Sequence, residues 1–314
     1  MPEPRSPQSR PPESRQGVLL GLAAWLMWGF FPLYWPLLKP AGAVEILAHR
    51  IFWSMVVMLV LVVATRRRAT LRATFADRRT RNVLAVASVL ITVNWGTYIW
   101  GVNHDHVVET SLGYFINPLV SVLLGVLFFG ERMRRLQWVA LAIAGVAVLA
   151  LTVEYGRPPW VALILAFSFG SYGLAKKKAD AGAVESLVVE TVVMSPVALA
   201  YIVFLMLTGA SSFGHHGVVH VVLMVGTAVI TVVPLLCFGG AATRIPLSTL
   251  GLMQYLTPSV QFVLGLVVFH EPMPPMRWVG FALIWLALAL FTLETLRNRR
   301  RQQLGARAAE AVSA

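Results

Sequence analysis

Long apolar runs, broken by short polar or basic clusters, dominate the chain from Gly17 to Leu296. Each run is continuous over about 20 residues instead of alternating, which suits a helix crossing a hydrocarbon core and not a barrel strand. The pattern predicts ten helical spans, near 17–38, 44–65, 82–102, 107–129, 136–154, 159–178, 185–208, 217–241, 247–269 and 275–296. The connections are short and leave no room for a catalytic domain outside the membrane. The flanking segments MPEPRSPQSRPPESRQ and RNRRRQQLGARAAEAVSA are polar and rich in Pro or Arg, and read as disordered tails.

Composition sharpens this into a class. The chain has 314 residues, 57% hydrophobic and only 13% charged, where a soluble domain carries about 25% charged. The mean hydropathy of +0.72 points the same way. The expected fold is an all-α integral membrane protein.

The net charge of +12 has a topological meaning. With the amino end inside, 22 of the 26 Lys and Arg fall on the cytoplasmic side, leaving Lys39, Arg157 and Arg277 outside and Arg50 within a span. This predicts a multi-pass protein of a bacterial-type inner (plasma) membrane with both termini cytoplasmic. The basic residues are spread over alternate loops and are not gathered on one reading face, so no nucleic-acid partner is expected. The apolar run from Gly17 is too long for a cleaved leader and is expected to remain as the first span. The single Cys237 excludes an intramolecular disulfide.

The pentapeptide AGAVE occurs at 41–45 and again at 181–185. Other landmarks recur at the same offset of 140: Pro118 and Pro258, Gly125 and Gly265, Glu131 and Glu271, Trp138 and Trp278, Glu154 and Glu294. The chain is therefore read as a duplication, with a tail at 1–16, a first repeat at 17–154, a second at 155–297 and a trailing cytoplasmic tail at 298–314. Five spans per repeat is an odd number, so the second copy enters the membrane from the opposite side. Ten transmembrane helices in two inverted five-helix repeats is the architecture of secondary transporters, whose two exchanged arrangements give outward- and inward-open states.

Several stretches make the reading more specific. RQGVLLGLAAWLMWG, EILAHRIFWS, NWGTYIWGVN, SLGYFINPLVSVLLGVLFFGERMRRLQW, LAFSFGSYGL and TVVPLLCFGGAATRIPLSTLGLMQY resemble the RarD branch of the EamA family, within the drug/metabolite transporter superfamily. The resemblance runs over nearly the whole chain between its tails. It implies a central cavity between two inverted repeats, alternating access, and a small organic solute as cargo.

Ionisable residues within spans are costly and mark function by default. His49 and Arg50 in the second span and Glu190 in the seventh are the gate or coupling candidates. Arg50 and Glu190 stand at the same repeat offset, but each lies about one turn in from its own surface, leaving them roughly 15 Å apart in depth. Two separate polar sites are therefore expected. Arg50 would pair with Glu45 or Glu109, and Glu190 with Arg244 or Lys176, either as gates or as structural ion pairs. Glu190 and His49 are the candidate carriers if protons are coupled.

Neutral groups supply the substrate-cavity candidates: Asn94, Trp95, Tyr114, Asn117, Tyr172, Gln254 and Tyr255. Amides and phenols orient an organic molecule while rings cover its apolar face; the same groups also tie helices together. Pro118, Pro196, Pro234 and Pro258 are expected to kink their helices and free carbonyls.

Enzyme chemistry finds little support. His215, His216 and His220 cluster before the eighth span without a nearby carboxylate or thiolate, so no metal site is expected. His270 and Glu271 lack the second His of the zinc-protease motif. No phosphate loop, nucleophile elbow or dinucleotide fingerprint is present, which leaves no cofactor and no direct use of ATP. The alternative to a transporter is a membrane receptor or scaffold that keeps the fold without moving cargo.

Overall fold

The computed structural model describes residues 15–313 apart from 130–132, 180 and 246; side chains at 129, 183, 247, 248 and beyond 297 are likewise left aside. Among the described residues regular structure is entirely helical. In chain order the helices are α1 (Arg15–Phe30), α2 (Ala43–Ala64), α3 (Arg68–Ala76), α4 (Arg78–Asn103), α5 (Val107–Phe129) and α6 (Arg135–Tyr155), followed by α7 (Trp160–Ala179), α8 (Ala183–Leu207), α9 (Gly217–Ala242), α10 (Leu247–Met253), α11 (Leu256–Val267) and α12 (Pro275–Ser313). Nine described spans are long and apolar enough to cross a membrane. The tenth expected span, α7, is absent from that set because it ends on Lys176, Lys177 and Lys178 and carries a polar SFGSYG centre.

Local sequence explains where helices start and bend. Asp77 caps α4 by accepting hydrogen bonds from the amides of Arg79 at 3.0 Å and Thr80 at 3.4 Å. The Thr80 hydroxyl and those amides hold the Asp77 carboxyl below its usual range. Gly156, at φ 64°, ends α6 in the left-handed conformation that favours glycine.

The first span does not stay α-helical to residue 38. Past Phe30 it tightens into 3-10 turns at Phe31–Leu33 and Trp35–Leu38. Pro32 removes the N–H that would bond the Trp28 carbonyl, and the Gln261 side-chain amide donates to that oxygen at 3.1 Å instead.

The expected ninth span is broken. α10 ends at Met253 and α11 begins at Leu256, so Gln254 and Tyr255 lie in the break. Pro258 deprives the Gln254 carbonyl of its helical donor, which accounts for the position. Pro118, its repeat partner, is accommodated inside a continuous α5, as are Pro196 in α8 and Pro234 in α9. The trailing segment also differs from expectation. α12 continues as helix through Ser313, since QQLGARAAEA is built largely of strong helix formers. The leading tail lies outside the described residues.

Two compact units result, and they are not the two sequence halves. Unit 1 joins residues up to Leu71 with Ala183–Gln261, and unit 2 joins Arg72–Gly182 with Phe262 onward. In unit 1, α2 packs on α8 and α9, and α1 packs on α9 and α10. In unit 2, α7 packs on α4 and α5, and α12 packs on α6. Large apolar side chains such as Leu149, Val153, Leu207 and Val218 face outward, as a lipid-facing surface requires.

Candidate functional site

The two AGAVE carboxylates hold one helix pair together at both ends. Glu45, at the start of α2, accepts from the Ser212 amide at 2.8 Å, the Ser211 hydroxyl at 3.1 Å and the Ser212 hydroxyl, all just beyond the end of α8. Glu185, at the start of α8, receives Arg67, just beyond the end of α2, at 3.3 Å. The pair is thus antiparallel, and the same pentapeptide serves opposite ends of it.

This register fixes the depth of the charged candidates. Arg50 lies five residues in from Glu45, and Glu190 five in from Glu185, from opposite ends. Their axial separation along the pair is roughly 15 Å at 1.5 Å per residue, as the depth argument requires. Three of the four expected partners make other contacts. Glu45 is held by the serines, Glu109 by Arg157, and Arg244 by the Gly240 carbonyl at 2.8 Å and the Thr243 hydroxyl at 3.2 Å.

Around Arg50, 3% exposed, unit 1 assembles a compact polar and aromatic cluster. Its Nε donates to Thr231 Oγ1 at 2.9 Å, and that hydroxyl in turn donates to the Thr227 carbonyl at 2.7 Å. The guanidinium carbon lies 5.2 Å from the Trp35 ring and 5.9 Å from the Phe31 ring, within cation–π range. His49 receives the Trp53 indole N–H on Nδ1 at 3.2 Å and stacks on Phe213 with centroids 4.6 Å apart. His220 reaches the Leu38 carbonyl through Nε2 at 3.0 Å. His216 lies beside it with ring centroids 5.6 Å apart.

Unit 2 brings together Asn94, Tyr114 and Tyr172 from the cavity candidates. Asn94 is buried, and its amide nitrogen donates to the Leu165 carbonyl at 3.1 Å and the Ser168 hydroxyl at 3.0 Å. Its oxygen accepts from the Tyr114 hydroxyl at 3.3 Å. Rings continue the layer: Tyr98 to Tyr114 at 5.7 Å, Tyr114 to Phe169 at 6.2 Å, Phe169 to Tyr172 at 5.9 Å. Asn94 therefore ties α4, α5 and α7, while Tyr172 is half-buried with the Lys176 ammonium 5.4 Å from its ring. Asn117 is buried and accepts from the Ser121 hydroxyl at 3.4 Å. Trp95 is half-buried on α4, and Gln254 and Tyr255 are half-buried in unit 1.

One end of unit 2 collects carboxylates that composition did not single out. Glu109 accepts from Arg157 at 2.9 Å and from the Val161 amide at 3.0 Å, which caps α7. Glu271 caps α5 by accepting from the amides of Val107 and Val108. Burial pushes the Glu271 carboxyl up to about 7 despite those two amides. Burial also lowers His106 beside Glu109. The repeat offset pairing Glu131 with Glu271 was the available signal for this position; Ser54 and Thr231 fall at the edges of the EILAHRIFWS and TVVPLLCFGG stretches without a role assigned to them, and Trp35 was not marked.

A multi-pass helical membrane protein with buried charge and amide clusters in its spans is the class these features define. Within it, the chain belongs to the EamA-like transporter family, whose model matches residues 15–153 and again 158–293. Protein RarD of Streptomyces exfoliatus is 54% identical over 93% of this chain and 92% of its own length. Protein RarD of Escherichia coli is 42% identical over 92% and 98%, which places the chain in the RarD branch. The chloramphenicol-sensitive protein RarD of Pseudomonas aeruginosa is 32% identical over 92% and 97%. One crystal structure of a protein aligns with a TM-score of 0.58 at 18% identity, covering 92% of this chain and 99% of that one, and shares the fold alone. The chain is a transporter-family protein of the inner membrane.

Proposed function

We propose that the protein is a secondary transporter of small organic solutes that works by alternating access between two inverted five-helix repeats, with both termini cytoplasmic. The observation that carries this reading is the α2–α8 pair, in which identical AGAVE segments stand at opposite ends of antiparallel helices. A local two-fold of that kind is what an inverted duplication leaves behind, and it supports two exchanged states of similar energy. The break at Gln254 and Tyr255 adds a discontinuous helix, the kind that lines transporter sites. Asn94, Trp95, Tyr114, Asn117, Tyr172, Gln254 and Tyr255 are the cavity candidates, and Arg50, His49 and Glu190 the gate or coupling residues.

Uptake into proteoliposomes tests the reading, using amino acids, nucleosides and chloramphenicol with and without a pH gradient. Accumulation that follows the gradient and disappears in Glu190→Gln supports proton-coupled transport. Equilibration without accumulation supports facilitated transport. A flat response across the panel and across broader solute sets favours a receptor or scaffold.

A further inference from the structure

Two basic runs far apart in the sequence meet at one end of unit 2. α4 starts with Arg78, Arg79 and Arg81, and α7 ends with Lys176, Lys177 and Lys178. The two helices pack on each other, and the Thr80 hydroxyl donates to the Ala179 carbonyl at 3.3 Å, which fixes the start of α4 beside the end of α7. Arg78, Arg79, Lys177 and Lys178 are exposed. Asp77 is the carboxylate beside them, and its oxygens accept from the amides that it caps; Asp180 lies outside the described residues. Like charges gathered this closely raise one another's energy, and an anion placed among them lowers it.

The arginines stand at the head of an apolar track. Arg79, Asn82, Val86, Val89 and Val93 recur at alternate spacings of three and four residues, so they share one face of α4. Arg78 stands four residues before Asn82 and flanks the same face. That face is turned outward: Val86, Val89 and Val93 are 57%, 51% and 45% exposed, and Asn82 is exposed with them. On α7 the exposed Phe167 stands about three turns before the exposed Lys178, again on one face. From Arg79 to Val93 is roughly 21 Å at 1.5 Å per residue, close to half of a bilayer about 40–45 Å thick with its headgroups. The cations therefore stand at headgroup depth while the valines run the length of one leaflet.

We propose that this end of unit 2 binds an anionic glycerophospholipid, with its phosphate held by Arg78 and Arg79, its charge balanced further by Lys177 and Lys178, and one acyl chain lying along Asn82, Val86, Val89 and Val93. A headgroup with an ammonium brings a cation to a place already crowded with them, which disfavours a zwitterionic lipid. A free phosphate leaves the valine track uncovered. The lipid site is independent of the transporter reading, so either can fail while the other stands.

The test uses the full-length protein in non-ionic detergent micelles, with the melting temperature followed as dioleoylphosphatidylglycerol, dioleoylphosphatidylcholine or glycerol phosphate is added. The anionic lipid is expected to raise the melting temperature saturably, and the zwitterionic lipid and the chainless headgroup are not. Arg78→Gln combined with Arg79→Gln is expected to weaken the anionic lipid roughly five- to thirtyfold. Arg68→Gln combined with Arg135→Gln removes the same charge from exposed positions off the track and is expected to change it less than about twofold. If the first pair does not fold, Arg79→Gln alone decides, with an expected loss of roughly fivefold. No response to the anionic lipid, or an equal response to the zwitterionic one, overturns the proposal. Equal stabilisation by glycerol phosphate makes the site one for a free anion, and equal losses in the two double variants make the attraction diffuse; each of these results also overturns it.

Discussion

Glu45 receives Ser212 twice, through its backbone amide at 2.8 Å and through its hydroxyl, so the start of α2 is fastened to the end of α8 by one buried carboxylate. The other end of the pair is fastened differently, by Glu185 and an Arg67 whose side chain is 51% exposed. Glu45→Ala strands buried serine donors and is expected to cost about 2–4 kcal/mol. Arg67→Ala removes the half-exposed member of its pair with the buried Glu185, where water can take the arginine's place, and is expected to cost less, about 1 kcal/mol. Thermal unfolding of both variants in the same micelle checks the asymmetry; equal losses contradict it.

Asn94 supports α4, α5 and α7 together, so its removal is expected to act on stability before it acts on any cargo. Asn94→Leu removes the bonds that Asn94 makes to the Tyr114 hydroxyl, Ser168 and the Leu165 carbonyl and should lower stability by about 1–2 kcal/mol, whereas Tyr114→Phe removes the phenol's bond to Asn94 and should cost about 0.5 kcal/mol. If transport falls far more steeply than melting temperature in Tyr114→Phe, the tyrosine contacts the solute and is not only a helix tie.

The contrast between these sites shows what the sequence discloses. Spans are set by apolar length, so α5, expected at 107–129, forms over Val107–Phe129, and α2, expected at 44–65, over Ala43–Ala64. Breaks are set by which backbone donor is missing and what replaces it, and that depends on neighbours. Pro118 and Pro258 are equivalent in sequence, yet α5 stays continuous while the helix before Pro258 is interrupted. The depth separation of Arg50 and Glu190 was legible because helical rise is fixed. The contacts of Glu45 and Glu109 were not, because these carboxylates satisfy loop amides and an arginine that only the tertiary fold brings near.

Gly280 marks a close approach inside unit 2. A Cβ built there would lie 2.5 Å from Leu151 Cγ, and one at Gly113 would lie 2.7 Å from the Ala162 carbonyl oxygen. At Gly280 the obstacle is a side chain that can rotate; at Gly113 it is backbone. Gly113→Ala is therefore expected to cost more, about 2–3 kcal/mol against about 1 kcal/mol for Gly280→Ala. Pairing Gly280→Ala with Leu151→Ala, and measuring unfolding of both single and double variants, should show the clash relieved in the double variant.

Glu271 links stability to pH with a defined sign. Its carboxyl is raised from 4.5 to about 7 by burial, so the folded protein holds this proton where the unfolded chain has released it. The corresponding stability is fully present below about pH 4.5 and is lost as pH rises through about 7. The melting temperature is therefore expected to fall between pH 5 and pH 8 by an increment that Glu271→Gln removes. Glutamine has one carbonyl oxygen for the Val107 and Val108 amides, so that variant also measures the cap itself through its stability at low pH, where the native side chain is protonated. A melting temperature in the variant that follows pH as steeply as in the native protein would assign the dependence to other groups, with His106, beside Glu109, the next to replace.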